Sequence, residues 1–250
     1  MPLQIGAGDL SSIAAAMFCT AVALMALEPL SRLGNRSVAR WVNGETAEQL
    51  RRISMPWWLL VAAVALILFI AVIPQLQGHD LAASITAAGL IGLLATLLVL
   101  LTKVDAQCRL LPDPLTGLLA ATGLIAHGMD FPPQAVTLAD GIVGCAVGYL
   151  LLWLITAGFR KSKGVQAMGR GDFAMSAGLG AWLGWQSIPL VWLAASLAGL
   201  AAAGLQRLWQ HRLKQDAGVS DPRTSAFLEQ RIAFGPALAL GGIITWIHLG

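Results

Sequence analysis

Two polar interruptions in an oily chain carry the residues best suited to chemistry. The first reads Lys103-Val-Asp-Ala-Gln-Cys-Arg-Leu-Leu-Pro-Asp113-Pro114, and the second Met168-Gly-Arg-Gly-Asp172. Each sets an aspartate, Asp105 or Asp172, at the mouth of a hydrophobic helix. Two carboxylates held close together cannot both ionise cheaply, so one keeps its proton while the other acts as general base towards a water. A pair of this kind hydrolyses peptide bonds without a metal. The glycines beside the second aspartate, Gly169 and Gly171, would let a substrate backbone approach, since a side chain there would obstruct it.

The positioning elements must be membrane helices. Of the 250 residues 57% are hydrophobic and 12% charged, against roughly 25% charged in soluble domains. Apolar runs of the length needed to cross a bilayer, about 20 residues, recur throughout, so the first is read as a span and not as a removable signal. The spacing predicts an all-α polytopic membrane bundle of about eight spans, near 11–30, 57–76, 81–102, 115–127, 135–159, 173–187, 190–208 and 235–249. Residues 1–102 are read as N-terminal spans with a short basic loop, 31–56, and residues 103–250 as the core that holds both aspartates. The fourth span covers only about 20 Å at 1.5 Å per residue. It must extend towards Phe131, thin the bilayer, or pack inside the bundle.

Charge placement orients the bundle. All 16 Lys and Arg fall in or at the edge of the loops after spans one, three, five and seven, the last group running from Arg207 to Arg231, and the opposite face has none. Cytoplasmic loops collect these residues, which puts both aspartate segments on the cytoplasmic side. Gly144-x-x-x-Gly148 and Gly180-x-x-x-Gly184 are spaced to let neighbouring helices approach closely. Cys19, Cys108 and Cys145 are scattered and suggest neither a disulfide framework nor a zinc site. The four histidines form no metal constellation. Tryptophans at span ends, such as Trp57, Trp58 and Trp209, read as interfacial anchors.

Each aspartate also has a structural reading. Asp113, followed by Pro114 and an apolar run, suits a helix N-cap, or, with Gly169 and Gly171, a place along the substrate's path. Asp172 could cap its own helix. Asp105 is harder to explain this way, because it follows the C-terminal end of span three, where the helix dipole disfavours an anion; otherwise it is a solvated loop carboxylate near Lys103 and Arg109. A proton or cation path through Glu28, Asp140 and the two aspartates is a further alternative, since intramembrane carboxylates mark such paths too.

Three ordered motifs carry a resemblance. They are Asp105 followed by Leu110-Leu-Pro-Asp-Pro-Leu-Thr116, Met168-Gly-Arg-Gly-Asp-Phe173 with Leu179-Gly-Ala-Trp-Leu-Gly-Trp185, and Phe234-Gly-Pro236 before the last span. From about Asp105 to Gly250 the chain resembles the prepilin peptidases, the type IV leader peptidases among the G-x-G-D membrane aspartic proteases. The resemblance implies that Asp105 and Asp172 are the catalytic pair. It also implies a multi-pass protein of the bacterial inner membrane that cuts the cytoplasmic leader from a prepilin or pseudopilin and works beside pilus or secretion assembly machinery. Its partners would be that substrate and the lipid bilayer, with no nucleic acid. Cleavage needs no cofactor; S-adenosylmethionine enters only if N-methylation is retained. Many bifunctional members carry two C-x-x-C pairs in the first loop, and here 31–56 has no cysteine. Ala174 stands where members often carry lysine. A catalytically inactive assembly factor of the same fold is the alternative these departures suggest.

Overall fold

The computed structural model describes residues 7–39, 57–76, 80–129, 136–163, 168–217 and 233–249. Among them the chain forms eight α-helices and no strand: α1 (Ala7–Ala39), α2 (Trp57–Leu76), α3 (Leu81–Cys108), α4 (Asp113–Gly128), α5 (Leu138–Lys163), α6 (Arg170–Leu183), α7 (Ile188–Ala217) and α8 (Gly235–Leu249). A single 3-10 turn, Trp185–Ser187, joins α6 to α7. Five of the helices, α1, α2, α3, α5 and, with the 3-10 turn, α7, contain stretches long and apolar enough to cross a membrane, and α8 is a shorter apolar helix. The chain is a multi-pass membrane helix bundle.

Several helices run further than apolar length alone indicates. Helix α1 continues through Pro29 to Ala39, so the first part of the basic segment 31–56 is helical and 40–56 lies outside the described residues. Proline removes one backbone bond from a helix, and here the helix is not ended by that loss. Just beyond the apolar run, Arg32 pairs with Glu28 at 2.9 Å, both side chains well exposed. An exposed pair of this kind contributes little. Helix α3 runs unbroken to Cys108, which places Asp105 inside its last turn, not beyond its end. Pro189 sits in the first turn of α7, where its missing N–H costs nothing.

Burial separates an inner pair of helices from their neighbours. In α3, 67% of the most apolar stretch is buried, against 17% in α1 and in the 3-10 turn–α7 stretch. In α6, every residue from Met175 to Leu183 is buried. A helix apolar on all sides belongs inside, and α6, with only 14 residues, is enclosed by α4, α5, α7 and α8. The short α4 takes the third of the options open to it. It ends at Gly128, short of Phe131, and turns Leu115, Leu119, Thr122, Gly123 and Ala126 inward as one buried stripe.

Small residues make the inner contacts close. A Cβ on Gly144 of α5 would collide with the Gly180 carbonyl oxygen of α6, and one on Gly148 would lie 2.6 Å from the Ser176 carbonyl oxygen. The two Gly-x-x-x-Gly stripes therefore meet, as in other tightly packed membrane pairs. Gly184 has a second duty: it ends α6 at φ 75°, in the left-handed region that glycine enters without strain. Two tryptophans are core residues and not interfacial anchors. Trp182 and Trp246 are fully buried and meet edge to face at 6.0 Å. Their indole N–H groups donate to the Leu119 carbonyl at 2.9 Å and the Leu68 carbonyl at 3.1 Å, which ties α6 to α4 and α8 to α2. Trp58 and Trp209, by contrast, are exposed.

Replacing Gly144 by Ala should lower the thermal unfolding midpoint of the detergent-solubilised protein, because backbone on both sides leaves no room for a methyl group; overpacking of this kind costs about 1–3 kcal/mol. Gly158→Ala, in the same helix and facing open space, should leave the midpoint unchanged or raise it slightly. Equal midpoints for the two variants would refute the close α5–α6 contact.

Candidate active site

Three helix ends converge at one end of the bundle: the C-terminus of α3, the N-terminus of α6 and the N-terminus of α8. Asp105, in the last turn of α3, is only 5% exposed. Burial of an anion there needs a partner, and the backbone N–H of Gly235 supplies it, donating to Asp105 Oδ2 at 2.7 Å. Gly235 is the first residue of α8. The carboxylate that the α3 dipole disfavours thus lies against the positive end of another helix. A Cβ at position 235 would stand 2.6 Å from Asp105 Oδ2 and 3.0 Å from its Cβ. Only glycine permits this approach.

Helix α3 then stops abruptly. Arg109 takes left-handed angles, φ 54° and ψ 32°, with its N–H donating to the Asp105 carbonyl at 2.8 Å. A non-glycine residue there is uncommon and costs on the order of 1 kcal/mol. The turn lets the chain reverse into α4 within a few residues. In the connection, Leu111 packs against the second aspartate segment: a Cβ on Gly171 would be 2.5 Å from the Leu111 Cβ. What occupies the space before Gly171 is therefore a side chain of its own protein. Gly169 is more open, with Asp172 Oδ2 at 3.6 Å from the position of a Cβ.

Asp172 is the third residue of α6, ahead of the buried apolar run. Its carboxylate reaches back to accept the Gly169 N–H at 3.2 Å, so it does close the first turn of its helix, from within and not from the N-cap position. The α6 dipole favours an anion here, yet the carboxyl titrates high. Burial first, and then the negative charge of Asp105, push it up to about 6, against the Gly169 hydrogen bond. The two aspartates are thus close enough for the charge of one to oppose ionisation of the other.

Other candidates lie elsewhere. Asp113 is exposed at the first position of α4, with Pro112 as the N-cap and no side-chain capping bond. The helix begins one residue earlier than a cap at Asp113 would require. Asp140 is a half-buried residue at the opposite end of the bundle, where it accepts hydrogen bonds from Thr137, Trp185 and Gln186 and fastens the start of α5 to the α6–α7 connection. At that same end the His127 Nε2 lies 3.2 Å from the Trp182 carbonyl oxygen. Among the described residues, no three of His, Cys, Asp and Glu gather in an arrangement that could hold a metal ion. The Gly235 contact was hidden from sequence reasoning. Phe234-Gly-Pro236 marks a helix start, but nothing in the motif says which side chain its N–H will face.

The raised Asp172 carboxyl has a stability consequence of definite sign. Between the ordinary value of 3.8 and about 6 the folded chain holds this proton and the unfolded chain has lost it. Stability is therefore present at low pH and declines as pH rises through about 6. Asp172→Asn retains an acceptor for the Gly169 N–H and removes the buried charge. Its melting temperature in detergent should exceed that of the unmodified chain at pH 8, and the gap should close towards pH 4. A gap independent of pH would refute the assignment.

The profile of the type IV leader peptidase family matches residues 92–204, a stretch that holds both aspartates. Three relatives named prepilin leader peptidase/N-methyltransferase show the extent of the likeness. The Pectobacterium carotovorum protein is 38% identical over 158 residues, 63% of this chain and 50% of that protein. The Dickeya chrysanthemi protein is 43% identical over 146 residues, 58% of this chain and 45% of its own length. The Klebsiella pneumoniae protein is 45% identical over 106 residues, 42% of this chain and 45% of its own. The chain thus spans about half the length of the curated relatives it matches. No solved structure matches it. Over residues 92–204 the chain is similar to the type IV leader peptidase family.

Proposed function

We propose that the chain is a membrane aspartic endopeptidase that removes the leader of a type IV prepilin or pseudopilin at the cytoplasmic face of the bacterial inner membrane, with Asp105 and Asp172 as the catalytic pair. One observation carries this reading: the two carboxylates, 67 positions apart in the chain, stand where the ends of α3, α6 and α8 converge at one end of the bundle, and the charge of Asp105 helps to raise the Asp172 carboxyl. The family match over the same residues and the gathering of Lys and Arg at the helix ends and connections on that side support it. In this reading residues 103–250 form the catalytic core and the earlier helices pack beside it.

The chemistry uses one ionised and one protonated carboxyl. Asp105 takes a proton from a water as the water oxygen bonds to the scissile carbonyl carbon, and Asp172 gives its proton to the carbonyl oxygen. In the collapse of the resulting diol the C–N bond breaks, the leaving nitrogen takes the proton held by Asp105, and a diol hydroxyl returns one to Asp172. Both carboxyls end as they began. The pair draws on no metal or cofactor; S-adenosylmethionine would be the methyl donor only if N-methylation, the second activity in the relatives' name, is retained. A substrate tethered by its own apolar helix would present its leader at this end of the bundle, with Gly169 on the open side of the second segment. Asp113, exposed and uncommitted to a cap, would meet basic residues of the leader. The machinery that assembles pili or secretion fibres would receive the product.

Leader removal from a co-expressed cognate prepilin tests the pair. Asp105→Asn and Asp172→Asn should each lower cleavage by at least about 10³-fold, in line with losses of residues that work as a unit. Asp113→Asn should keep kcat and raise KM a few-fold. Cleavage surviving in either of the first two variants would refute the dyad. No cleavage by the unmodified chain on that substrate would favour an inactive assembly factor.

A further inference from the structure

The proposed reaction leaves open why Asp105, and not Asp172, should be the base. The structural surroundings of the two carboxylates differ in a way that answers this. Asp105 lies deeper, in the last turn of α3, and the Gly235 N–H reaches its Oδ2 at 2.7 Å, across 130 positions of the chain. Asp172 is less buried, and its bond comes from Gly169 of its own segment at the longer distance of 3.2 Å. A backbone N–H can only donate, so it favours the ionised oxygen over a carboxyl O–H. The absence of a side chain at 235 lets the helix terminus come this near.

We infer that Gly235 is a positioning residue for the cleavage reaction: through its N–H and its lack of a Cβ, the N-terminus of α8 fixes one oxygen of Asp105, keeps that carboxylate ionised and leaves the other oxygen to receive the proton of the attacking water. The inference rests on the dyad proposed above. Among the described residues, the charged groups that act on this pair are Asp105 and Asp172 themselves and Arg109, whose guanidinium charge bears on Asp105 from the end of its own helix. Pro236 cannot substitute for the contact, since it has no N–H, and the amide of position 235 is the one that donates to the carboxylate. Residue 235 lies beyond the stretch matched by the family profile, 92–204.

The test uses the full chain in membranes with a cognate prepilin. Gly235→Ala should lower kcat by at least about 100-fold, the scale on which small misplacements near reacting groups act, while KM changes less than about threefold. Gly204→Ala, which faces open space in α7, is the control and should cleave normally. Because an added methyl group could also disturb the packing of α8, a second variant carries glycolic acid in place of Gly235, replacing the amide N–H by an ester oxygen with no added bulk. It should lose at least tenfold in kcat, and the acidic limb of its kcat/KM profile should move to higher pH, since the ionised form of the base has lost its donor. An ester variant with unaltered kcat and pH profile, alongside inactive Asp105→Asn, would overturn the positioning role and leave the dyad standing. Cleavage by Asp105→Asn would overturn the dyad and this inference with it.

Discussion

Bringing two carboxylates to one end of an apolar bundle is the constraint to which the rest of the structure answers. An aspartate near hydrocarbon is costly, about 3 kcal/mol on insertion scales, and a second one beside it adds repulsion. Side-chain cations do not lie against these oxygens among the described residues; backbone amides do. Gly235 donates to Asp105 and Gly169 to Asp172, each from the first turn or N-cap of a helix whose positive end faces the charge. Backbone donors cannot be titrated away or swing out. A site built on them keeps its geometry through changes of protonation that would release a lysine.

The helices must then be brought together closely enough for those termini to reach. Glycine and other small residues do this at each inner contact: Gly144 and Gly148 of α5 against α6, Gly178 of α6 beneath Leu119 of α4, and Gly241 and Gly242 of α8 against α7 and α6. Lipid offers no hydrophobic drive for helices to associate, so close packing and a few buried hydrogen bonds carry the bundle. Trp182 and Trp246 combine the two, filling the centre with large rings while their N–H groups bind carbonyls on neighbouring helices. The short α4 and α6 can stay short because other helices, and not lipid, surround much of their length.

Much of this arrangement was legible in the sequence. Each of the eight apolar runs falls, in order, on one of the eight helices among the described residues, and the two aspartate segments, assigned to one side from the distribution of Lys and Arg, meet at one end of the bundle. The misreadings have physical causes. Pro29 and the polar residues after Leu30 looked like a stop, but a proline at the edge of a long helix removes one bond and not the helix. Asp105 was placed past the end of span three because hydropathy falls there, although hydropathy measures contact with lipid and says little about backbone conformation. The core positions of Trp182 and Trp246 were not assigned at all, since a helix apolar on every side has no polar face to mark its inside. The partner of Asp105 was illegible for a different reason. A backbone amide is present in every residue except proline, so nothing in the letter Gly at 235 announces which one a distant carboxylate will find.

The separation between that carboxylate and its amide bears on how the protein comes into being. A nascent chain is made from its N-terminus, so both aspartates are synthesised before Gly235. During that interval Asp105 sits at the end of α3 facing an empty slot, and water or lipid headgroups must satisfy it. On the proposed reading the half-made protein is then hydrolytically silent, and competence arrives with the docking of α8, late in biogenesis. On the same reading, a copy that lacks α8 has no donor for the Asp105 carboxylate and no formed site with which to cut a neighbouring helix.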